Sequence, residues 1–142
     1  MHPIVETIFK DINPKSILEV GCQNGLLMKQ YTDGKDIDVY GIDIDKFDFY
    51  GKFIHQDASL RWPLEDKSID LVFSIGTLLL VKDPFPMIKE MLRVGKKVIL
   101  AEFHDPNEDE YGRVEETGVY DVRIFRDYEK VFKKLGYSVK IE

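Results

Sequence analysis

Apolar and β-branched residues fall in short runs along the chain, and the stretches between several of them carry a helical period. Six runs read as strands: Ser16–Val20, residues 38–42, Lys52–His55, and residues 69–74, 97–102 and 137–141. The spacing between them predicts helices over 25–31, 84–94 and 126–135, preceded by an opening helix over 4–12. At 84–94, Asp83 is placed to cap, Pro84 to take the first helical position, and Gly95 to end the helix in a left-handed conformation. Ile88, Met91 and Leu92 then share one face. Gly136 ends the last helix in the same way, behind Val131, Phe132 and Leu135. Strands alternating with helices pair in parallel through right-handed crossovers. The expected fold class is therefore α/β, a doubly wound, mostly parallel sheet with helices on both faces. In such sheets ligands bind beyond the carboxyl ends of the strands, where the strand order reverses.

The chain has 142 residues, 44% hydrophobic and 32% charged, which is the size and balance of one globular domain, taken here as residues 1–142. No repeat, low-complexity stretch or linker divides it. Twenty Lys and Arg against 26 Asp and Glu leave a net charge of -6, which argues against electrostatic capture of nucleic acid or an anionic membrane. Apolar runs such as that from Leu78 to Val81 fall far short of the ~20 residues of a membrane helix. Met1-His2-Pro3 does not open a signal peptide, so a soluble, cytoplasmic protein is expected. Cys22 is the single cysteine, which excludes an intrachain disulfide, and with His2, His55 and His104 as the only histidines there is no metal-ligand spacing.

Candidate chemistry gathers after the first three strands. Gly21-Cys22-Gln23-Asn24-Gly25 joins the first strand to a helix. A glycine directly after a buried strand lets the backbone approach a ligand, and the helix start offers unpaired N–H donors. The same pentapeptide also serves as a plain strand-to-helix turn, and by itself it leaves both readings open. Asp43 ends the second strand 22 positions after Gly21, near the ~20-residue offset at which a carboxylate meets a ribose diol in dinucleotide-binding folds. Capping of the strand end is its other reading, and Asp45 makes the turn acidic in any case. Asp57 follows the third strand, so two acids and a glycine loop share one sheet edge, which suits a ligand with a ribose and an exocyclic amine, such as adenosine. Capping of the Ala58-Ser59-Leu60 turn competes for Asp57, and one carboxylate can do both.

These segments, in this order, resemble the class I S-adenosylmethionine-dependent methyltransferases of the small-domain type. Ile17-Leu18-Glu19-Val20-Gly21-Cys22 with Gly25 is similar to the family's first motif, Gly41-Ile42-Asp43-Ile44-Asp45 to its second and Gln56-Asp57-Ala58 to its third. The similarity continues from Trp62 to Ser74, through Leu78 and Val81-Lys82-Asp83-Pro84, and through Lys89-Glu90-Met91-Leu92-Arg93-Val94. The resemblance implies a Rossmann-like methyltransferase fold and methyl transfer from S-adenosylmethionine to an unidentified small-molecule or protein acceptor. It implies that Glu19 and the loop of Gly21, Cys22, Gln23 and Gly25 embrace the methionine portion of the cofactor. Asp43 would bind the ribose hydroxyls, Ile44 pack on the adenine and Asp57 receive the adenine amino group, while Ala58 contributes backbone and Ser74 sits after the fourth strand beside the cofactor.

Several departures bear on that reading. The family usually has glycine where Gln23 stands, which forces either crowding of the cofactor or a left-handed non-glycine residue at a cost of order 1 kcal/mol. Cys22 has no basic partner nearby and reads as a packing residue, not a nucleophile. Leu79 and Leu80 stand where related members often carry histidines, so that segment offers an apolar wall and no base. A direct displacement from a sulfonium does not require one, and no catalytic residue is assigned. His104 and Asp105 lie on the correct edge but read better as surface residues. Residues 104–124 form the longest irregular stretch, rich in acids, and read either as a cover over the acceptor pocket or as a solvated flap. Relatives usually add an antiparallel strand after the equivalent of 137–141. The expectation here is that the final strand lies beside the fifth, or that a homodimer or larger assembly covers the gap. A dinucleotide dehydrogenase fits less well, because Gly21-x-x-x-Gly25 lacks the G-x-G-x-x-G pattern and leaves Asp57 without a task. A degenerate module that binds the cofactor or a partner without turnover is the second hypothesis.

Overall fold

Alternation along each strand divides its side chains between two faces, and that division builds the molecule. The computed structural model describes residues 9, 12–77, 83–101, 109–113, 119–120, 122–125 and 140–141. In chain order they form β1 (Ser16–Val20), α1 (Leu26–Thr32), β2 (Asp38–Asp43), β3 (Lys52–His55), β4 (Ile69–Ile75), α2 (Phe85–Val94) and β5 (Gly95–Ala101), then β6 (Asp109–Arg113), β7 (Val119–Tyr120), β8 (Val122–Phe125) and β9 (Lys140–Ile141). The main sheet has the order β3-β2-β1-β4-β5-β7 with every pair parallel. Ile17, Leu71, Phe73 and Ile99 pack on one side with Met28 and Tyr31 of α1 and with Phe9. Their strand neighbours Leu18, Val72, Val98 and Leu100 pack with Met87, Ile88, Met91 and Leu92 of α2. Adjacent residues thus serve opposite layers, and the doubly wound α/β sheet with helices on both faces is what the chain forms. The order reverses between β1 and β4, which places the crevice at their carboxyl ends.

The connection from β3 to β4 is pinned to α2 by a partly buried network. Glu90, 8% exposed, accepts the Trp62 backbone N–H at 2.7 Å and pairs with Arg93 at 2.7 Å. Arg93 also donates to the carbonyls of Leu64 and Trp62 and to Asp66. The indole of Trp62 is held under this network, 1% exposed, in the α2 layer.

Four expectations are corrected. Gly95 is not left-handed: its φ of -85° and ψ of 134° make it the first residue of β5. The end of α2 is closed instead by Lys67, whose ammonium donates to the carbonyls of Leu92 (2.7 Å) and Gly95 (3.1 Å), so no left-handed residue is needed. Glycine is required there for space, since a Cβ would stand 2.9 Å from both the Met91 carbonyl and a Val72 methyl. Second, α2 starts one residue later than expected, with the Pro84 carbonyl accepting the Ile88 N–H at 2.9 Å and Asp83 accepting from Phe85 at 3.1 Å. Third, residues 104–124 are not wholly irregular, because β6, β7 and the start of β8 lie in them. Fourth, Lys140–Ile141 pairs antiparallel with β6, while β7 takes the edge of β5. These pairings are long-range and leave little local pattern. The helices expected over most of 4–12 and over 126–135, and the positions of Leu78, Leu79, Leu80, His104 and Asp105, lie outside the described residues. Among the described residues no helix is long and apolar enough to cross a membrane.

Candidate functional site

The tips of β1, β2 and β3 are tied together by backbone hydrogen bonds. Gly21 and Cys22 both donate their N–H to the Ile42 carbonyl, at 2.8 and 3.2 Å. The Asp43 carboxylate takes the Gln23 N–H on Oδ2 and the Asp45 N–H on Oδ1, each at 3.0 Å, while its own carbonyl takes the Gln56 N–H at 3.0 Å. His55 Nε2 donates to the Ile44 carbonyl at 2.9 Å. One acidic side chain therefore fixes two loops, and each of its oxygens keeps a further lone pair for another donor.

The glycine loop is shaped by close approach. Gly21 has φ 71°, and a Cβ there would run into the Thr77 side chain from the loop after β4. Gly25, φ 77°, begins α1, and a Cβ would meet the rings of Phe49 and Tyr50 at 2.5 and 2.8 Å. Gln23 does adopt the left-handed conformation, with φ 51°, and the residue is exposed. The bond from its N–H to Asp43 holds this otherwise unfavourable geometry.

Glu19 is 6% exposed, and its register neighbours are Gly41 and Phe73. Burial first, and then the Asp43 charge, push its carboxyl up to about 8. Cys22 is buried with its thiol near the Gln23 carbonyl (3.3 Å), and burial, followed by Glu19 and Asp43, pushes it up to about 12. A thiol in that state packs and does not attack. Tyr50, hydrogen-bonded to Thr32 at 2.8 Å, is also raised, chiefly by burial. Ile44 shows an apolar side chain 65% exposed beside Asp43.

Glu19, Gly21, Cys22, Gln23, Gly25, Asp43 and Ile44 are thus brought to one place. Asp57 lies one strand further along the same edge, where Oδ1 accepts the Ser59 N–H at 2.8 Å, the turn-capping role weighed from sequence. The Ala58 carbonyl is occupied by the Trp62 indole N–H at 2.9 Å. Ser74 stands inside β4, not after it, in register with Val20; the strand alternation puts it on the α2 side, the face opposite Glu19. Its hydroxyl is fully buried and among the described residues has no hydrogen-bond partner. Three contributors escaped the sequence reading: Thr77 against Gly21, Phe49 beneath Gly25 and Gly41, and His55 on Ile44. The aromatic group Phe47, Phe49 and Tyr50 in an otherwise polar connection was the signal for the second.

Residues 18–98 match the family model described as a methyltransferase domain. The tRNA U34 carboxymethyltransferase of Nautilia profundicola is 31% identical in an alignment 104 residues long that covers 63% of this chain; the chain spans only 35% of that relative's length. A solved SAM-dependent methyltransferase from Methanosarcina mazei superposes with a TM-score of 0.59 at 23% identity, covering 93% of this chain and 82% of its own. One from Aquifex aeolicus gives 0.59 at 18%, covering 85% and 87%. The structural likenesses establish the fold, the family match extends over more than half of the sequence, and the chain belongs to the class I S-adenosylmethionine-dependent methyltransferase family.

Proposed function

We propose that this chain is a single-domain methyltransferase core, residues 1–142, which binds S-adenosylmethionine at the carboxyl ends of β1 to β3 and moves its methyl group to an acceptor. The observation that carries this reading is the Asp43 carboxylate, fixed by the N–H groups of Gln23 and Asp45 at 3.0 Å and left with acceptor capacity beside an exposed isoleucine. The donor set fits the cofactor: Asp43 would take the ribose hydroxyls and Ile44 the adenine face. Glu19 with the turn of Gly21, Cys22, Gln23 and Gly25 would face the methionine portion, and Asp57 with the Ala58 backbone the adenine edge. When bound, the cofactor supplies an activated methyl on a sulfonium, so the protein's share of the work is alignment and exclusion of water. The tight packing of Thr77 on Gly21 links the loop after β4 to the cofactor loop. Ser74, on the α2 face of β4 and opposite Glu19, stays outside this donor set.

The acceptor classes to assay are small molecules, protein side chains and, because the Nautilia relative acts on tRNA, tRNA itself. The net charge of -6 favours the first two. A cytoplasmic setting and self-association are part of the same proposal. Calorimetry with S-adenosylmethionine and S-adenosylhomocysteine tests the core of it: the expected result is saturable binding of both, and absence of heat at millimolar ligand with folded protein would reject it.

A further inference from the structure

Gln56 follows β3 directly and is bonded toward both acids of the candidate edge. Its backbone N–H donates to the Asp43 carbonyl at 3.0 Å. Its carboxamide lies against the turn that carries Asp57, with Nε2 3.2 Å from the carbonyls of Asp57 and Arg61 and 3.5 Å from that of Leu60. All three neighbours are acceptors, so the amide nitrogen, and not its oxygen, faces them. The rest of the turn is closed from inside: the Asp57 carbonyl also takes the Leu60 N–H at 3.1 Å, the Ala58 carbonyl takes the Trp62 indole, and the Ser59 N–H ends on Asp57 Oδ1. The carbonyls of residues 57, 58, 60 and 61 are therefore engaged. What the turn keeps for a ligand is the exposed Asp57 carboxylate, whose Oδ2 has no partner among the described residues. An ionised carboxylate only accepts. Held still, it pairs with an amino group and meets an oxo group oxygen to oxygen; free to swing, it turns to water and separates the two poorly.

We propose that Gln56 is the positioning residue behind base selectivity: its carboxamide gathers the carbonyls of the 57–61 turn and so fixes the Asp57 carboxylate, which selects a base with an exocyclic amine over one with an oxo group. The inference rests on the cofactor reading above and goes beyond it, because discrimination between bases is assigned to a side chain outside the donor set. The backbone arm of Gln56 survives substitution, since every residue but proline supplies that N–H to Asp43. Replacing the side chain thus loosens the Asp57 turn while the Asp43 carbonyl stays bonded, which separates reading of the base from binding of the ribose.

Titration calorimetry of the full chain tests it with S-adenosylhomocysteine and its S-inosyl analogue, in which an oxo group replaces the amine of the base. The wild type should favour the adenosyl ligand by about 10- to 100-fold. Gln56→Met, which keeps the length without a donor, should bring that preference below about threefold, chiefly by weakening the adenosyl ligand. Asp57→Ala should do the same, and the double variant should lose no more than either single one, because both changes act through one carboxylate. The inference is overturned by a wild type that binds both ligands equally, by additive losses in the double variant, or by Gln56→Met weakening both ligands alike with the preference intact, the mark of a merely structural role. Each of these leaves the cofactor site standing, whereas a folded wild type that binds neither S-adenosylmethionine nor S-adenosylhomocysteine removes both readings. Should Gln56→Met not fold, NMR of the free wild-type protein decides: the side-chain amide hydrogens of Gln56 should exchange more slowly than those of the exposed Gln23, and equal rates overturn the proposal.

Discussion

Replacing Glu19 by Gln should make the protein more stable, and increasingly so as pH rises. The carboxyl is raised from 4.5 to about 8 by burial and by Asp43, and at 6% exposure little solvent screening dilutes the effect. The native state therefore holds a proton that the unfolded chain gives up. The stability this group allows is complete below about pH 4.5, falls as pH climbs toward 8, and levels off above. At 1.36 kcal/mol per pKa unit, the penalty relative to a permanently neutral side chain is about 1 kcal/mol at pH 5, about 3 at pH 7 and about 5 at pH 9. Local opening that lets water reach the carboxyl reduces the upper figures. Gln is nearly isosteric, so the variant reports ionisation and little else. Urea unfolding of both proteins at these three pH values supplies the comparison, with the slope against denaturant held to be the same. Curves that stay parallel, with a difference at pH 9 within about 1 kcal/mol of that at pH 5, would refute a buried, proton-holding Glu19.

Three further outcomes follow from the packing and the loop. Gly21→Ala should destabilise by about 2–4 kcal/mol, summing a left-handed alanine and the collision with Thr77; melting of Gly21→Ala with and without Thr77→Ala should show recovery of the collision part in the double variant, and strict additivity would argue against the contact. Asp43→Ala should weaken S-adenosylmethionine binding by roughly 1–3 kcal/mol through lost hydrogen bonds to a charged group, and unchanged affinity by calorimetry removes Asp43 from the site. Glu90→Ala should cost about 1–3 kcal/mol, since it leaves the buried Trp62 N–H without its acceptor and Arg93 with Asp66 as its remaining carboxylate. Burial works against ionisation of Glu90, but Arg93 and the Trp62 N–H hold its carboxyl below the usual value, so its contribution is full above pH 4.5 and fades as acid protonates it. The variant's stability should accordingly lose less between neutral and acid pH than the wild type's, and an identical acid limb would contradict the assignment.

Much of this protein is written locally. Short apolar runs with β-branched residues marked β1 to β5, because the central strands of a sheet covered on both faces are apolar through most of their length, and the glycine turn with Asp43 and Asp57 after successive strands marked the candidate binding edge. The alternation also implied that crossovers would bring those strand ends together. Tertiary structure decided what no local pattern encodes. Lys67 closing α2 from 25 residues away left Gly95 free to start a strand. Val119 and Tyr120 found the edge of β5 through long-range pairing. The Asp43 carboxylate held Gln23 in a conformation its own side chain disfavours. The acidity of Glu19 belongs to this second group: the residue type fixes only that a proton can be exchanged, whereas burial between Gly41 and Phe73, next to Asp43, sets where, because desolvation and charge proximity exist only once the strands have assembled.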